Sequence, residues 1–157
     1  MKQIIIVIMI AFTNQINAQI TKAEIIATGL TCSMCSNAIN KQLKTIAEAD
    51  SIQIDLNANK FTVFFKNEVE ITPEILKSKV EKAGFFVGDM IIHFNSTKIT
   101  KNQYVILEGS LNGNKNNKAR VIDKGYTTNK EYKKLSKKYK DSTLVNDNEE
   151  DFHLIVL

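Results

Sequence analysis

The order in which hydrophobic periodicity changes along residues 23–94 constrains the fold of this chain more than any other feature. Two-residue alternation predicts a strand with one covered face, whereas apolar residues at three- and four-residue steps predict an amphipathic helix. The patterns predict strand, helix, strand, strand, helix and strand over residues 23–28, 36–48, 51–56, 60–66, 72–83 and 85–94. This βαββαβ order predicts an α+β domain.

Short polar signals set the boundaries of these elements. Asn57-Ala58-Asn59 separates two alternating segments, which indicates a β-hairpin whose strands both present one apolar face. The first helix is expected to begin at or just before Cys35. Thr72 followed by Pro73 predicts the start of the second helix, and Gly84 predicts its end.

The first eighteen residues have the layout of a secretory signal peptide. Lys2 gives a positive start, residues 4–12 form a short apolar run, and a polar stretch ends at Ala18. The run is too short to span a bilayer, and a buried N-terminal strand is the alternative reading. We therefore expect cleavage near Gln19 and a soluble product that is exported to the periplasm or the extracellular space.

The region over residues 95–157 has a different character. Strands are predicted over residues 104–108, 118–123 and 152–157, and a helix over residues 128–139. The apolar residues 152–157 predict that the C-terminal segment pairs as a strand within a sheet. We expect a small β-rich C-terminal appendage packed on the first domain, with an OB-like partial barrel as one candidate. Its role is not readable from the sequence.

Six lysines cluster in and directly after this predicted C-terminal helix, although the chain as a whole carries a net charge of only +4. They are Lys130, Lys133, Lys134, Lys137, Lys138 and Lys140. The cluster contains no arginine, and the expected export argues against nucleic acid as a partner. We interpret the cluster as a solvated helix face and predict no nucleic-acid partner.

The two cysteines carry the chemistry that the sequence predicts. Cys32 and Cys35 are the only cysteines of the 157 residues and lie at a predicted loop-to-helix junction. Unpaired backbone N–H groups and the helix dipole favour thiolates there. No histidine or carboxylate lies close in sequence, which favours a soft ion, Cu(I) above all, with Hg(II) and Zn(II) as other candidates. His93 and His153 are far off in sequence and are read as ordinary strand residues.

The sequence around these cysteines resembles the heavy-metal-associated domain. The matching segment is Gly29-Leu30-Thr31-Cys32-Ser33-Met34-Cys35, followed by helix, hairpin, helix and Ala83-Gly84-Phe85. The family occurs in copper chaperones, in N-terminal modules of metal-transporting ATPases and in periplasmic mercury-binding proteins. The resemblance runs from roughly Thr21 to Asp89, so the predicted domains are a signal peptide (1–18), a heavy-metal-associated domain (19–94) and the C-terminal region (95–157).

The resemblance implies a ferredoxin-like sandwich, in which both helices cover one face of a four-stranded antiparallel sheet. It also implies that Cys32 and Cys35 are the metal ligands, that Gly29 and Thr31 shape their loop, and that Phe85 packs beneath it. Two other side chains of the segment lie at positions where this sequence departs from the family pattern or where the family itself varies. Leu30 stands where the family usually has methionine and fills the same buried role, and Met34 is read as solvent-facing.

These observations predict an exported, non-enzymatic protein that carries or sequesters a soft metal ion and passes it on by ligand exchange. The predicted partners are the metal ion and a metal-transporting membrane protein, or another thiol-bearing donor or acceptor. One alternative is a thiol-disulfide oxidoreductase, although Pro73, the only proline, sits at a helix start and leaves no candidate for a thioredoxin-like cis-proline. A structural disulfide is the other, although so short a loop gains little from cross-linking.

Overall fold

The computed structural model describes residues 20–66, 71–95, 104–111, 113, 116–140, 144 and 151–157. The predicted signal peptide, residues 1–18, lies outside them. Within these ranges the elements are β1 (Ile20–Thr28), α1 (Ser33–Leu43), β2 (Ala49–Asp55), β3 (Lys60–Phe65), α2 (Pro73–Lys82), β4 (Phe86–Phe94), β5 (Tyr104–Glu108), β6 (Asn117–Val121), α3 (Asn129–Lys138) and β7 (Phe152–Val156).

The first four strands form a ferredoxin-like sheet. They lie in the order β2-β3-β1-β4, and every neighbouring pair is antiparallel. Ala23 and Ile25 of β1 are fully buried, whereas Glu24 between them lies on the opposite face. The buried side chains of α1 and α2 belong to the same hydrophobic cluster, so both helices cover this face. The predicted α+β class and βαββαβ order are confirmed.

The hairpin differs from its prediction in one respect. β2 and β3 pair as expected, and in β3 the side chains of Phe61, Val63 and Phe65 are buried. In β2, however, Ile54 remains 37% exposed. The predicted apolar face is present in both strands, but the face of β2 is covered only in part, since Ile52 packs against the main cluster and Ile54 does not.

The fourth strand contains a bulge at Gly88. β4 is continuous, but its pairing with β1 shifts between Ile26, which faces Asp89, and Ala27, which faces Val87. Gly88 is the extra residue. A Cβ atom there would overlap the methyl group of Thr28, so this close approach requires glycine. The bulge fixes the end of β1, from which the cysteine loop departs.

The C-terminal strands extend the same sheet. β6 pairs with β4, β7 pairs with β6, and β5 pairs with β7 in parallel, giving the order β2-β3-β1-β4-β6-β7-β5. Tyr104, Phe152 and Leu154 join the hydrophobic cluster of the first four strands. The expected insertion of the C-terminus into a sheet is confirmed. The OB-like candidate is wrong, since the strands continue an open sheet; the domain boundary after residue 94 stays a prediction.

The third helix lies on the opposite face of the sheet. Thr128 caps α3 by accepting a hydrogen bond from the Glu131 backbone N–H at 3.3 Å. Leu135 of α3 packs in a second cluster with Ile155, which alternates along β7 with Leu154 of the main cluster. Helices thus cover both faces of the sheet. Among the described residues, no helix has the length and apolar character needed to cross a bilayer.

Candidate metal centre

The two cysteines lie where β1 gives way to α1. Gly29 has a φ of 86°, a left-handed conformation that lets the chain turn out of the strand. Cys32 has extended backbone and is the N-cap residue of α1, and its carbonyl accepts a hydrogen bond from the Cys35 N–H at 3.1 Å. Cys35 therefore occupies the first turn of the helix. The predicted loop-to-helix position of both residues is confirmed.

The two sulfur atoms face each other at the protein surface. Cys32 Sγ and Cys35 Sγ are 3.1 Å apart, and both residues are free thiols. Cys32 is exposed and Cys35 is half-buried. A pair of sulfurs this close can bind one ion together, and the exposure of Cys32 leaves a path for an ion or an incoming thiol.

The loop also favours the ionised form of Cys35. A hydrogen bond from the backbone of Thr31 and, next in size, the interaction with the Cys32 thiol lower the pKa of the Cys35 thiol from 9.0 to about 7. About half of this thiol is then ionised at neutral pH. The thiolate is the form that binds metal and attacks disulfides, so the loop prepares Cys35 for either chemistry.

Phe85 and Leu30 support the loop from the protein side. Both are half-buried and pack against the main hydrophobic cluster. A Cβ atom built on Gly29 would lie 3.8 Å from Phe85 Cδ1, so the aromatic ring contacts the turn that carries the cysteines. Phe85 is itself held by a hydrogen bond from its N–H to the Val80 carbonyl at the end of α2. The second helix thereby braces the cysteine loop.

Met34 lies between the two cysteines in sequence, and the two histidines lie on β4 and β7. Met34 is 80% exposed, as predicted. His93 on β4 forms a 2.8 Å hydrogen bond with Glu24, and burial lowers the pKa of its imidazole. His153 on β7 is buried and forms a 2.6 Å hydrogen bond with Asp123. Within the described ranges, no three Cys, His, Asp or Glu side chains group as metal ligands.

Two surface features were missed by the sequence analysis. Phe86 is 69% exposed although it pairs with Thr28 beside the cysteine loop. A cleft of about 590 Å³ lies between α2 and the residues after β6, with Lys77, Tyr126 and His153 among its lining. The cysteines do not line this cleft. Local sequence patterns could not predict the cleft, because the residues that line it come from elements that are far apart in sequence.

The fold and the thiol pair define a ferredoxin-like domain with an open dithiol site. Residues 24–86 match the model of the family described as "Heavy-metal-associated domain". The predicted resemblance is confirmed over this part of the chain. The chain is also similar to a copper-transport protein, being 39% identical over 57 residues to a copper-transporting ATPase of Saccharomyces cerevisiae. The match covers 36% of this chain and 6% of that protein.

Solved structures with similarity to this chain include metal-transport domains. The yeast copper transporter domain CCC2A, in its apo and Cu(I)-loaded states, is 34% identical with a TM-score of 0.37, covering 41% of this chain and 88% of that one. The N-terminal domain of PacS from Synechocystis PCC6803 is 23% identical, with a TM-score of 0.37 and coverage of 42% and 91%. The CopZ metallochaperone is 19% identical, with a TM-score of 0.39 and coverage of 43% and 98%.

Proposed function

We propose that this protein binds a soft metal ion, preferentially Cu(I), between the sulfur atoms of Cys32 and Cys35 and carries or sequesters it. The observation that carries the proposal is the pair of accessible thiols, 3.1 Å apart, at the start of α1 in a heavy-metal-associated domain. The similarity to a yeast copper-transporting ATPase supports copper as the cargo. Two soft thiolates suit Cu(I), whereas a structural Zn(II) site normally takes four protein ligands.

Binding requires a small movement of the loop. Metal–thiolate bonds of about 2.3 Å in a linear arrangement place the sulfurs roughly 4.6 Å apart. The present separation is 3.1 Å, so the sulfurs must move apart. Cys32 precedes the first helical residue and has extended backbone, whereas Cys35 is fixed within α1. We expect Cys32 to make most of this movement.

The open coordination favours transfer rather than permanent storage. An ion held by two sulfurs has room for a third, so an incoming thiol can attack before the first ligand leaves. The partner is then a thiol-bearing donor or acceptor, such as a metal-transporting membrane protein. The protein itself acts as a non-enzymatic carrier, and the cargo exchanges without a bond being made or broken in a substrate.

Export is the proposed setting for this carrier. The support is the layout of residues 1–18, with Lys2, a short apolar run and Ala18 before Gln19. Expression with fractionation in a Gram-negative host tests it. A periplasmic product whose N-terminal sequence begins near Gln19 is expected, and full-length protein retained in the cytoplasm would overturn the proposed export.

A metal titration tests the binding site. The reduced protein is titrated with Cu(I), Zn(II) and Hg(II) against a competing chelator, and native mass spectrometry gives the stoichiometry. One Cu(I) per protein is expected, and the Cys32→Ser/Cys35→Ser variant should lose it while keeping its circular dichroism spectrum. A Met34→Leu variant is the matched control and should bind as the wild type does. Stoichiometric Cu(I) binding by the double variant would overturn the proposed site.

A thiol-disulfide oxidoreductase is the second candidate. The lowered pKa of Cys35 and the short Sγ–Sγ distance also suit a reversible disulfide. Insulin reduction in the presence of a copper chelator separates the two functions. A carrier gives no turnover above the Cys32→Ser/Cys35→Ser background, whereas sustained turnover would favour the oxidoreductase.

A further inference from the structure

The outer face of α3 carries a cluster of exposed lysines. All six lysines of the predicted cluster are exposed, namely Lys130, Lys133, Lys134, Lys137, Lys138 and Lys140. Four of them, at positions 130, 133, 134 and 137, follow the three- and four-residue steps that place side chains on one face of a helix. We call these four residues the lysine face.

Packing fixes the direction in which the lysine face points. Leu135 is buried against Ile122, and Tyr132 and Tyr139 pack around the same cluster on the opposite side of the helix. The Tyr132 hydroxyl also donates a hydrogen bond to the Leu144 carbonyl. Because this inward stripe is anchored in the sheet, α3 cannot rotate, and the lysine face is held outward.

Positive charge is concentrated over residues 130–140, which include most of α3. Residues 130–140 contain six lysines and one glutamate, a net charge of +5, whereas the whole chain carries +4. The remainder of the chain therefore sums to −1. In the described part of the chain, Lys138 pairs with Glu108, and Glu131 lies 3.6 Å from Arg120. No ion pair there involves the other five lysines, so the lysine face is not neutralised by its described neighbours.

We propose that the lysine face docks the protein on an anionic lipid surface. Lysine ammonium groups are point charges that suit the diffuse negative charge of lipid headgroups, where each contributes independently to binding. Nucleic-acid sites typically add arginine forks and exposed aromatic rings that stack on bases. The lysine face has neither, since α3 contains no arginine and the half-buried Tyr132 and Tyr139 lie on its opposite side.

Docking through α3 leaves the cysteine pair accessible. α3 lies on one face of the sheet, and α1, whose first turn holds Cys35, lies on the other. No exposed aromatic or leucine side chain on α3 is available to insert between lipids, so the contact is electrostatic and weakens as salt screens it. Docking on lipid does not require metal binding. The Cys32→Ser/Cys35→Ser variant should therefore bind anionic vesicles as the wild type does.

A vesicle-binding comparison tests the docking surface. The reduced protein that begins at Gln19 is sedimented with phosphatidylcholine vesicles, with and without about 30% phosphatidylglycerol. Binding only to the anionic vesicles, reversed by salt, is expected. Each lysine near an anionic surface is worth roughly a fivefold change in affinity, so Lys130→Gln/Lys133→Gln/Lys137→Gln should bind about a hundredfold more weakly.

The control variant carries the same change of charge elsewhere. Lys41→Gln/Lys44→Gln/Lys82→Gln alters three exposed lysines at the C-terminal ends of α1 and α2. It should lose far less affinity than the α3 variant, with both variants folded by circular dichroism. Equal losses in the two variants, equal binding to neutral vesicles, or tighter lysine-face-dependent binding to duplex DNA would each overturn the proposal.

Discussion

Cys35 shows how a single turn of backbone adjusts the chemistry of one side chain. The helix start supplies hydrogen bonds to its sulfur, and these stabilise the charged form of the thiol. Sequence alone placed the residue at the junction, because a Cys-X-X-Cys pair before an amphipathic run is a local pattern. The roles of Thr31 and of the 3.1 Å sulfur contact depend on the fold of the loop, which no local pattern specifies.

We predict that alkylation of Cys35 follows a titration with a midpoint of about 7. An unfolded cysteine titrates near 8.5, so at neutral pH the folded thiol should react roughly tenfold faster than the same thiol in denaturant. Iodoacetamide labelling across a pH series, read at Cys35 by fragment mass spectrometry, measures this. The same series in guanidinium chloride is the control. A folded midpoint above 8 would contradict the assigned hydrogen bonds.

Gly88 is the second residue whose role follows from close contact. A Cβ atom at position 88 would overlap the Thr28 methyl group and lie 3.4 Å from the Ile26 carbonyl oxygen. We expect Gly88→Ala to lower the free energy of unfolding in urea by about 1–3 kcal/mol through overpacking. Gly113→Ala is the matched control, because nothing lies within 4 Å of the added atom, and it should change little.

A second variant separates the clash from a general effect at the bulge. Thr28→Ser removes the methyl group that Gly88 approaches, so Gly88→Ala/Thr28→Ser should recover part of the lost stability. Strictly additive losses in this double variant would show that the Thr28 methyl is not what requires glycine at position 88.

At the scale of elements, helix starts were predicted better than helix ends and sheet edges. α2 begins after Thr72, where the sequence placed its cap, and α3 begins one residue into its predicted span, whereas α1 ends at Leu43 and not at residue 48. Such signals act over a few residues and can be read locally. The exposure of β2 could not be read in this way, because alternation reports a strand's own pattern and not whether a helix covers it.

The two sides of α2 differ enough for a direct test. Leu76 is fully buried and Ile75, its neighbour, is 40% exposed. Leu76→Ala should lower the free energy of unfolding by about 2–5 kcal/mol, since it removes buried volume from the core. Ile75→Ala should lose under about 1 kcal/mol by the same argument. Urea denaturation followed by circular dichroism measures both, and equal losses would mean that the helix faces the sheet differently.

At the scale of the whole molecule, the continuity of the sheet was the property that the sequence did not reveal. The sequence identified β7 as an apolar strand, but it could not identify β6 and β5 as its neighbours. Pairing between strands that are distant in sequence depends on loop closure and on total buried surface, neither of which has a local signature. The predicted appendage is consequently part of the same sheet as β1, the strand that leads into the cysteine loop.

A shared sheet and core should unfold as one unit. Leu154 of β7 is fully buried in the cluster that also contains Ala23 and Ile25 of β1. Leu154→Ala should therefore lower the free energy of opening of the β6 amides by about 2–5 kcal/mol. The β1 amides should lose the same amount of protection from exchange. Native-state hydrogen exchange measures both strands in one sample. If β1 kept its wild-type protection while β6 lost it, residues 95–157 would be a separately unfolding domain, and the cysteine loop would not depend on the C-terminal strands for its stability.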